Sequence, residues 1–405
     1  MRALFVTANF ASHYYQLVPL AWALLAAGHE VRVASQPSFA DVITGAGVPA
    51  VPVGPDVDLV KSLMDKLSRP QQGPPPLAPA GVTGQEWAAG GGSWRLTPFE
   101  VFAEWAEQTA DDVIGFARRW SADLVVHDPI SYVGPAAAAH LGIPAVRHLL
   151  GPDNTYLVRE LLPDLLGSLT AALGVDPGRM LGTVTLDNCP AALQLDHQDD
   201  LERWRARYVP YNGPGSAAPW LLDRPERKRI CLTWGFTPSM RGEAPVVPQL
   251  VEALSGIDAE TVVVVASAGQ AGLAAAPDHV RVVESVPMHL LLPSCDLVVH
   301  HGGIGTALTA LHSAVPQLVM PQKPDELIVS RNVESSGIGK LLPRATGADL
   351  HGEQIATAAA ELLEDTGYRR ANQRVRDEML SRPSPAALVA DLERLAGTTA
   401  LSGRR

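Results

Sequence analysis

Short apolar runs alternate along the chain with longer segments whose apolar positions recur at helical spacing. Residues 3–7 (Ala, Leu, Phe, Val, Thr) form a run of buried-strand type. Residues 17–27 carry helical spacing that stops at Gly28, a C-terminal helix signal. Residues 31–35 and 50–53 read as the next strands, followed by a helix at 100–120, a strand at 123–127 and an alanine-rich helix at 134–141. The pattern breaks at 208–220, where Pro and Gly are too dense for a regular element. It restarts with strands at 230–234, 261–265, 280–283, 297–299 and 317–320 and helices between them. The alternation predicts an α/β fold: two doubly wound, Rossmann-like domains with parallel sheets covered on both faces. Open sheets of this kind bind ligands beyond the carboxyl ends of their strands, so both halves are expected to point their sites at a cleft between them.

Composition narrows the classes. With 405 residues, 46% hydrophobic and 19% charged, the chain has the material for a large core and lacks the profile of disorder. A formal charge of −11 disfavours polymeric nucleic acid and anionic membrane, both of which need basic patches. It does not disfavour a single nucleotide, because backbone N–H groups at a helix start bind phosphate and net charge does not register them. The three cysteines, Cys189, Cys231 and Cys295, are far apart and odd in number, which excludes a disulfide framework or a four-thiolate zinc site and fits a reducing cytoplasm. No apolar run reaches membrane-spanning length, and the first residues read as a strand rather than a signal peptide. Nearly half of residues 70–92 are Pro or Gly. A loop of that length is either a flap over a substrate or a tolerated insertion.

Candidate chemistry sits at strand ends. The strongest segment is His300-His301-Gly302-Gly303-Ile304-Gly305-Thr306, directly after a strand and at the start of a helix near Thr306. Free N–H groups and the helix dipole face outward at such a turn, the glycines admit a diphosphate, and His301 and Thr306 add hydrogen bonds. The bland alternative is a tight turn with two satisfied histidines. Gly303 and Gly305 lack the third glycine of a dinucleotide fingerprint, and no P-loop is present. The segment from Gly337 to Lys340 reads as a turn into a strand. His13 lies past the first strand, in the loop before the first helix, where an imidazole can act as general base; Asp128, at the end of another strand, can orient it. The alternative for His13 is a structural histidine. Asp325 and Glu326 follow the strand at 317–320 and are either sugar-hydroxyl acceptors or acids of a helix first turn. Asp56 and Asp58 imitate a metal-holding Asp-x-Asp without further ligands.

Taken together these residues resemble the bacterial natural-product glycosyltransferases of GT-B fold, which decorate antibiotics and related aglycones. The likeness runs almost end to end. It includes Ser12-His13, Val126-His127-Asp128-Pro129, Cys231-Leu232-Thr233-Trp234-Gly235, Val286-Pro287 and the long run from His300 to Thr306, then Val315-Pro316 and Pro321-Gln322. The resemblance implies an acceptor-binding N-terminal domain at 1–207 with a flexible loop at 70–92, and a linker at 208–227. It further implies a nucleotide-sugar domain at 228–380 and a tail helix at 381–405 that crosses back to the N-terminal domain. It implies a hexosyl-type transferase using a nucleotide sugar as co-substrate, without a metal or other cofactor, by displacement with inversion. His13 would be the general base and Asp128 its partner. Gly235, Thr237, Val286, His301, Gly302, Gly303, Gly305 and Thr306 would bind the nucleotide sugar, its diphosphate at His301 and the backbone around Gly303 to Thr306, with Asp325 and Glu326 on the sugar hydroxyls. A homodimer or an auxiliary protein is a possible partner.

Departures from the family pattern carry information. Glu326 stands where relatives commonly have glutamine, which favours a sugar that donates hydrogen bonds or carries an amine. Phe236 replaces a Thr or Ser, so a phosphate contact is expected to be either lost or moved to Thr237. Thr309 stands where UDP-sugar relatives carry an acid for the ribose hydroxyls, which favours dTDP. The expected reaction is transfer of a deoxysugar from dTDP to a hydroxyl of a polyketide-like aglycone in antibiotic biosynthesis. A C-glycosyltransferase acting on a phenol and a sugar-nucleotide epimerase of the same fold are the alternatives.

Overall fold

The computed structural model describes residues 1–67, 97–195, 201–223, 225–235, 246–265, 277–284, 286–343 and 351–402. The predicted loop at 70–92 and the candidate Thr237, with Phe236, lie outside these residues. The chain divides into two units: residues 1–189, 196–209 and 382–405 form the first, and 190–195 with 210–381 form the second.

The first unit contains β1 (Arg2–Val6), α1 (Ala11–Ala26), β2 (Glu30–Ser35), α2 (Ala40–Gly45), β3 (Ala50–Pro52), α3 (Leu59–Leu67) and α4 (Thr97–Trp120). It continues with β4 (Leu124–His127), α5 (Val133–Leu141), β5 (Ala145–His148), α6 (Gly167–Leu173), β6 (Val184–Asp187) and β7 (Arg203–Arg205). The seven strands run parallel in the order β3-β2-β1-β4-β5-β6-β7. Helices cover both faces, so β4 has no solvent side and reads as an apolar run up to the buried His127. The strands β5 and β6 are just as buried but carry polar groups inside. Arg147 of β5 is fully buried, and its guanidinium holds Asp153 with two bonds of 3.1 and 2.7 Å while also donating to the Thr185 hydroxyl of β6. Arg203 of β7 joins Asp153 at 3.0 Å. A buried guanidinium needs all of these acceptors, because an unpaired one would cost several kcal/mol.

Helix α1 starts at Ala11, six residues before the helical spacing that the sequence displays. The added turns bury Tyr14 and Gln16, so polar-looking residues form part of the inner face. The C-terminal helix Val389–Ser402 belongs to the first unit. Leu388 and Leu392 are buried there, and Glu393 meets His29 at 2.9 Å.

The second unit contains β8 (Lys228–Thr233), α7 (Val247–Leu254), β9 (Ala259–Val265), β10 (Val280–Glu284), α8 (Met288–Leu291) and β11 (Leu297–His300). There follow α9 (Ile304–His312), β12 (Gln317–Val319), α10 (Pro324–Ser335), β13 (Gly339–Leu341), α11 (Gly352–Glu364) and α12 (Thr366–Ser381). Its six strands are parallel in the order β10-β9-β8-β11-β12-β13. Residues 190–195, read from the sequence as part of the first half, belong to this unit instead. Two α10 side chains hold them: Asn332 donates to the Leu193 carbonyl at 2.8 Å and Ser336 to that of Ala192 at 2.9 Å.

Each sheet reverses its strand order once, between β1 and β4 in the first unit and between β8 and β11 in the second. Open parallel sheets bind ligands beyond the carboxyl ends of the strands beside such a reversal. Register places Val6 opposite His127 and Thr233 opposite His300, so the next residues, Thr7 with Asp128 and Trp234 with His301, leave the sheet side by side. Among the described residues no helix is long and apolar enough to cross a membrane.

Candidate active site

In the first unit the switch point gathers Thr7, His13, Asp128 and Ser131. Asp128 is fully buried yet richly solvated by protein. Its Oδ2 accepts from the Thr7 hydroxyl at 2.9 Å and the Ser131 hydroxyl at 2.8 Å. Its Oδ1 accepts from the backbone N–H groups of Ile130 at 3.0 Å and Ser131 at 3.1 Å. Four donors fix the carboxylate in one orientation and replace the water it gave up.

His13 lies in the first turn of α1, not in the loop before it, because the helix starts at Ala11. Its Nδ1 stands 3.9 Å from Asp128 Oδ1, and its side chain is one-quarter exposed. That distance is too long for a hydrogen bond but within ionic reach, a geometry that tightens in many enzymes only when substrate is bound. The imidazole rests on Phe10, with ring centroids 5.5 Å apart, and Phe10 in turn meets Phe102 at 5.8 Å. Thr7 and Ser131 were not legible as site residues: Thr7 looks like the last residue of a strand, and Ser131 like part of a turn.

In the second unit the two adjacent histidines separate into different roles. His300 is fully buried and satisfied: Gly302 N–H donates to its Nδ1 at 3.1 Å, so its Nε2 carries the proton and meets Gln317 Oε1 at 3.1 Å. Burial holds its pKa down at about 4. His301 is also buried, but its Nδ1 has no hydrogen-bond partner among the described residues. Burial, then the neighbouring His300 and Lys323 charges, push it down to about 3. The ring fits between two glycines. A Cβ on Gly235 would stand 2.5 Å from its Cε1, and one on Gly303 2.8 Å from its Nε2. Trp234 lies alongside, with ring centroids 6.2 Å apart.

Gly303 is the N-cap of α9 and makes no side-chain cap, and the first turn holds no acid. The N–H groups of Ile304, Gly305 and Thr306 therefore have no intrahelical acceptor and sit at the positive end of the dipole. Thr306 is partly exposed in this turn, and beside Gly305 there is open space. Val286 is partly buried against the cluster that holds Cys231 and Met288.

One expectation changes on this side. Glu326 is not free to meet a sugar: it is 2% exposed, and its Oε2 accepts from the N–H groups of Gln322 and Lys323 at 2.8 and 3.0 Å. Its Oε1 faces the Lys323 ammonium at 2.8 Å. Burial raises its pKa, opposed by Lys323. Asp325 beside it is exposed. Thr309 is fully buried; its hydroxyl donates to the Gly305 carbonyl at 2.7 Å and accepts from Asn212 at 3.1 Å. Its side chain is thus engaged within the unit, and the position offers no acid to a ribose. Asp56 and Asp58 accept backbone N–H groups of Ser38 and Lys61 at 2.7 and 2.8 Å, ordinary turn and helix-start bonds.

Two parallel sheets of this winding, one with a histidine–carboxylate pair at its switch point and the other with an uncapped, glycine-rich helix start, define a glycosyltransferase of GT-B fold. Residues 22–235 match the N-terminal domain model of the erythromycin biosynthesis protein CIII-like family, and residues 248–395 its C-terminal domain model. The chain belongs to this family. It is 36% identical to 10-deoxymethynolide desosaminyltransferase of Streptomyces venezuelae, across 98% of this chain and 97% of the relative. Spinosyn forosaminyltransferase superposes with a TM-score of 0.80 at 32% identity, covering 98% of this chain and 99% of that one. The glycosyltransferase VinC in complex with dTDP gives 0.79 at 31% identity, covering 98% and 100%. Each of these is named as a glycosyltransferase and none as an epimerase.

Proposed function

We propose that the protein is an inverting glycosyltransferase that moves a deoxysugar from a dTDP-sugar to a hydroxyl of a polyketide-like aglycone. The observation that carries the donor side is the uncapped start of α9 with the buried His301 beside it, held by Gly235 and Gly303. A nucleoside diphosphate supplies the anionic oxygens that such N–H groups lack. The choice of dTDP draws on VinC, which binds it. The sugar and acceptor classes draw on the relatives, whose names join deoxyamino sugars to macrolide-type aglycones.

In this reading the first unit binds the acceptor and the second the donor. His13 turns Nδ1 toward Asp128, which leaves Nε2 to take the acceptor proton. The acceptor oxygen forms a bond to the anomeric carbon as the bond to the diphosphate oxygen breaks, and that electron pair leaves with the diphosphate. One displacement inverts the centre. The imidazolium is offset by Asp128, and the charge growing on the leaving diphosphate by the α9 N–H groups and dipole, positioned before the reaction begins.

The test is incubation with a dTDP-deoxysugar and a macrolactone aglycone, with the product identified by mass spectrometry and its linkage and anomeric configuration by NMR. An O-linked product of inverted configuration is expected. Retained configuration, a carbon-linked product, or an absence of dTDP binding by calorimetry would overturn the assignment.

A further inference from the structure

Lys323 forms an ion pair with the buried Glu326 whose charges helix capping does not require. Glu326 Oε2 closes the start of α10 by accepting two backbone N–H groups. Capping alone does not call for a charge, since a glutamine oxygen accepts the same two bonds. The other oxygen, Oε1, is shared: the Lys323 ammonium lies 2.8 Å from it and His301 Nε2 lies 3.7 Å from it. The carboxylate therefore brings a buried negative charge against the imidazole that stands beside the helix start. Both nitrogens of the neighbouring His300 are already engaged, so that ring offers no countercharge. Lys323, one-quarter exposed and three residues before Glu326, supplies it.

We propose that Lys323 is a positioning residue of the donor site: its ammonium cancels the Glu326 carboxylate, so that an arriving nucleoside diphosphate meets a neutral pair beside His301. The proposal rests on the donor-site reading above. Without the lysine, one full negative charge would stand close to the phosphates; for a separation of roughly 6 Å and an effective dielectric of about 20–40, it would weaken binding about ten- to a hundredfold. The pair also changes what the Glu-for-Gln departure means. The glutamate serves as half of an internal ion pair rather than as a contact to the sugar, and the lysine is the residue that makes it tolerable there.

The experiment is dTDP calorimetry on the full chain, with kcat and KM for the dTDP-sugar, for wild type, Lys323→Met, Lys323→Arg, Glu326→Gln and the Lys323→Met/Glu326→Gln double variant. Lys323→Met is expected to weaken dTDP binding about ten- to a hundredfold and to raise KM with kcat within about threefold of wild type. Lys323→Arg should stay close to wild type. Glu326→Gln should bind dTDP at least as tightly as wild type, and the double variant should return to within about threefold of it. A double variant as weak as Lys323→Met would place the lysine on the ligand or in the fold and overturn the proposal, as would an undiminished Lys323→Met. Should Lys323→Met fail to fold, Glu326→Gln decides: weaker binding than wild type overturns the proposal. A wild type that binds no dTDP overturns the donor-site reading as well, whereas tight wild-type binding with unchanged variants overturns only the role of Lys323.

Discussion

A Cβ added to Gly235 would meet the imidazole of His301 at 2.5 Å, and Gly235 itself holds a φ of +68°. The two facts act in one direction. The backbone conformation costs an L side chain about 1 kcal/mol or more, and the clash would move the ring that lines the proposed phosphate site. Gly235→Ala is expected to lower stability by about 1–3 kcal/mol and to weaken dTDP binding at least tenfold, read by urea unfolding and calorimetry. Unchanged dTDP affinity would show that His301 does not contribute to the site.

His13→Ala should separate binding from chemistry. His13 belongs to the first unit, and the proposed diphosphate contacts belong to the second. General-base assistance is worth roughly 10²–10⁴-fold, so kcat should fall by that factor while dTDP affinity stays within about twofold of wild type. Single-turnover rates with saturating donor check this directly. Undiminished turnover would remove His13 from the mechanism.

Much of the fold was legible because its strands are short apolar runs separated by helical spacing. The strand at 123–127 and the helix at 100–120 correspond closely to Leu124–His127 and Thr97–Trp120. The strands β5, β6 and β7 were not legible, because Arg147, Asp187 and Arg203 interrupt the apolar pattern. The burial of Arg147 depends on Asp153, which also pairs with Arg203, a partnership that is a tertiary fact no local window contains. The same reason governs the site. The residues at the strand ends could be named from position alone. The hydroxyl donors on Asp128 and the ammonium on Glu326 could not, since Thr7 is 121 residues from Asp128 and Lys323 looks like an ordinary surface lysine.

The clamp on Asp128 gives a third prediction. A hydrogen bond to a buried charged group contributes about 1.5–3 kcal/mol, and its loss leaves the carboxylate underpaired. Thr7→Val and Ser131→Ala each delete a hydroxyl that reaches Oδ2. Each should lower stability by about 1–3 kcal/mol and slow kcat, because the carboxylate then turns from His13. Ser131→Thr keeps the hydroxyl and should recover most of the rate. Comparing the rates of Ser131→Ala and Ser131→Thr at matched folded fraction tests the orientation argument, and equal rates would reduce the clamp to a purely structural feature.

Stability should fall on mild acidification, and the sign follows from four imidazoles. Burial pushes His127, His148 and His300 down to about 4 and His301 to about 3. In the unfolded chain each takes a proton near pH 6.5. Between about pH 6.5 and 4 the unfolded state therefore binds more protons than the folded one, and stability decreases as pH falls through that window. Above pH 7 both states hold these rings neutral and the dependence vanishes. The limiting slope is about 1.4 kcal/mol per pH unit for each histidine. Two of the four lie in each unit, so both units should lose stability together. Urea unfolding at half-unit steps from pH 8 to 5 measures the slope. A flat profile below pH 6.5 would mean that these rings take up protons in the folded protein as they do in the unfolded chain, and His301 would then itself be a countercharge to Glu326.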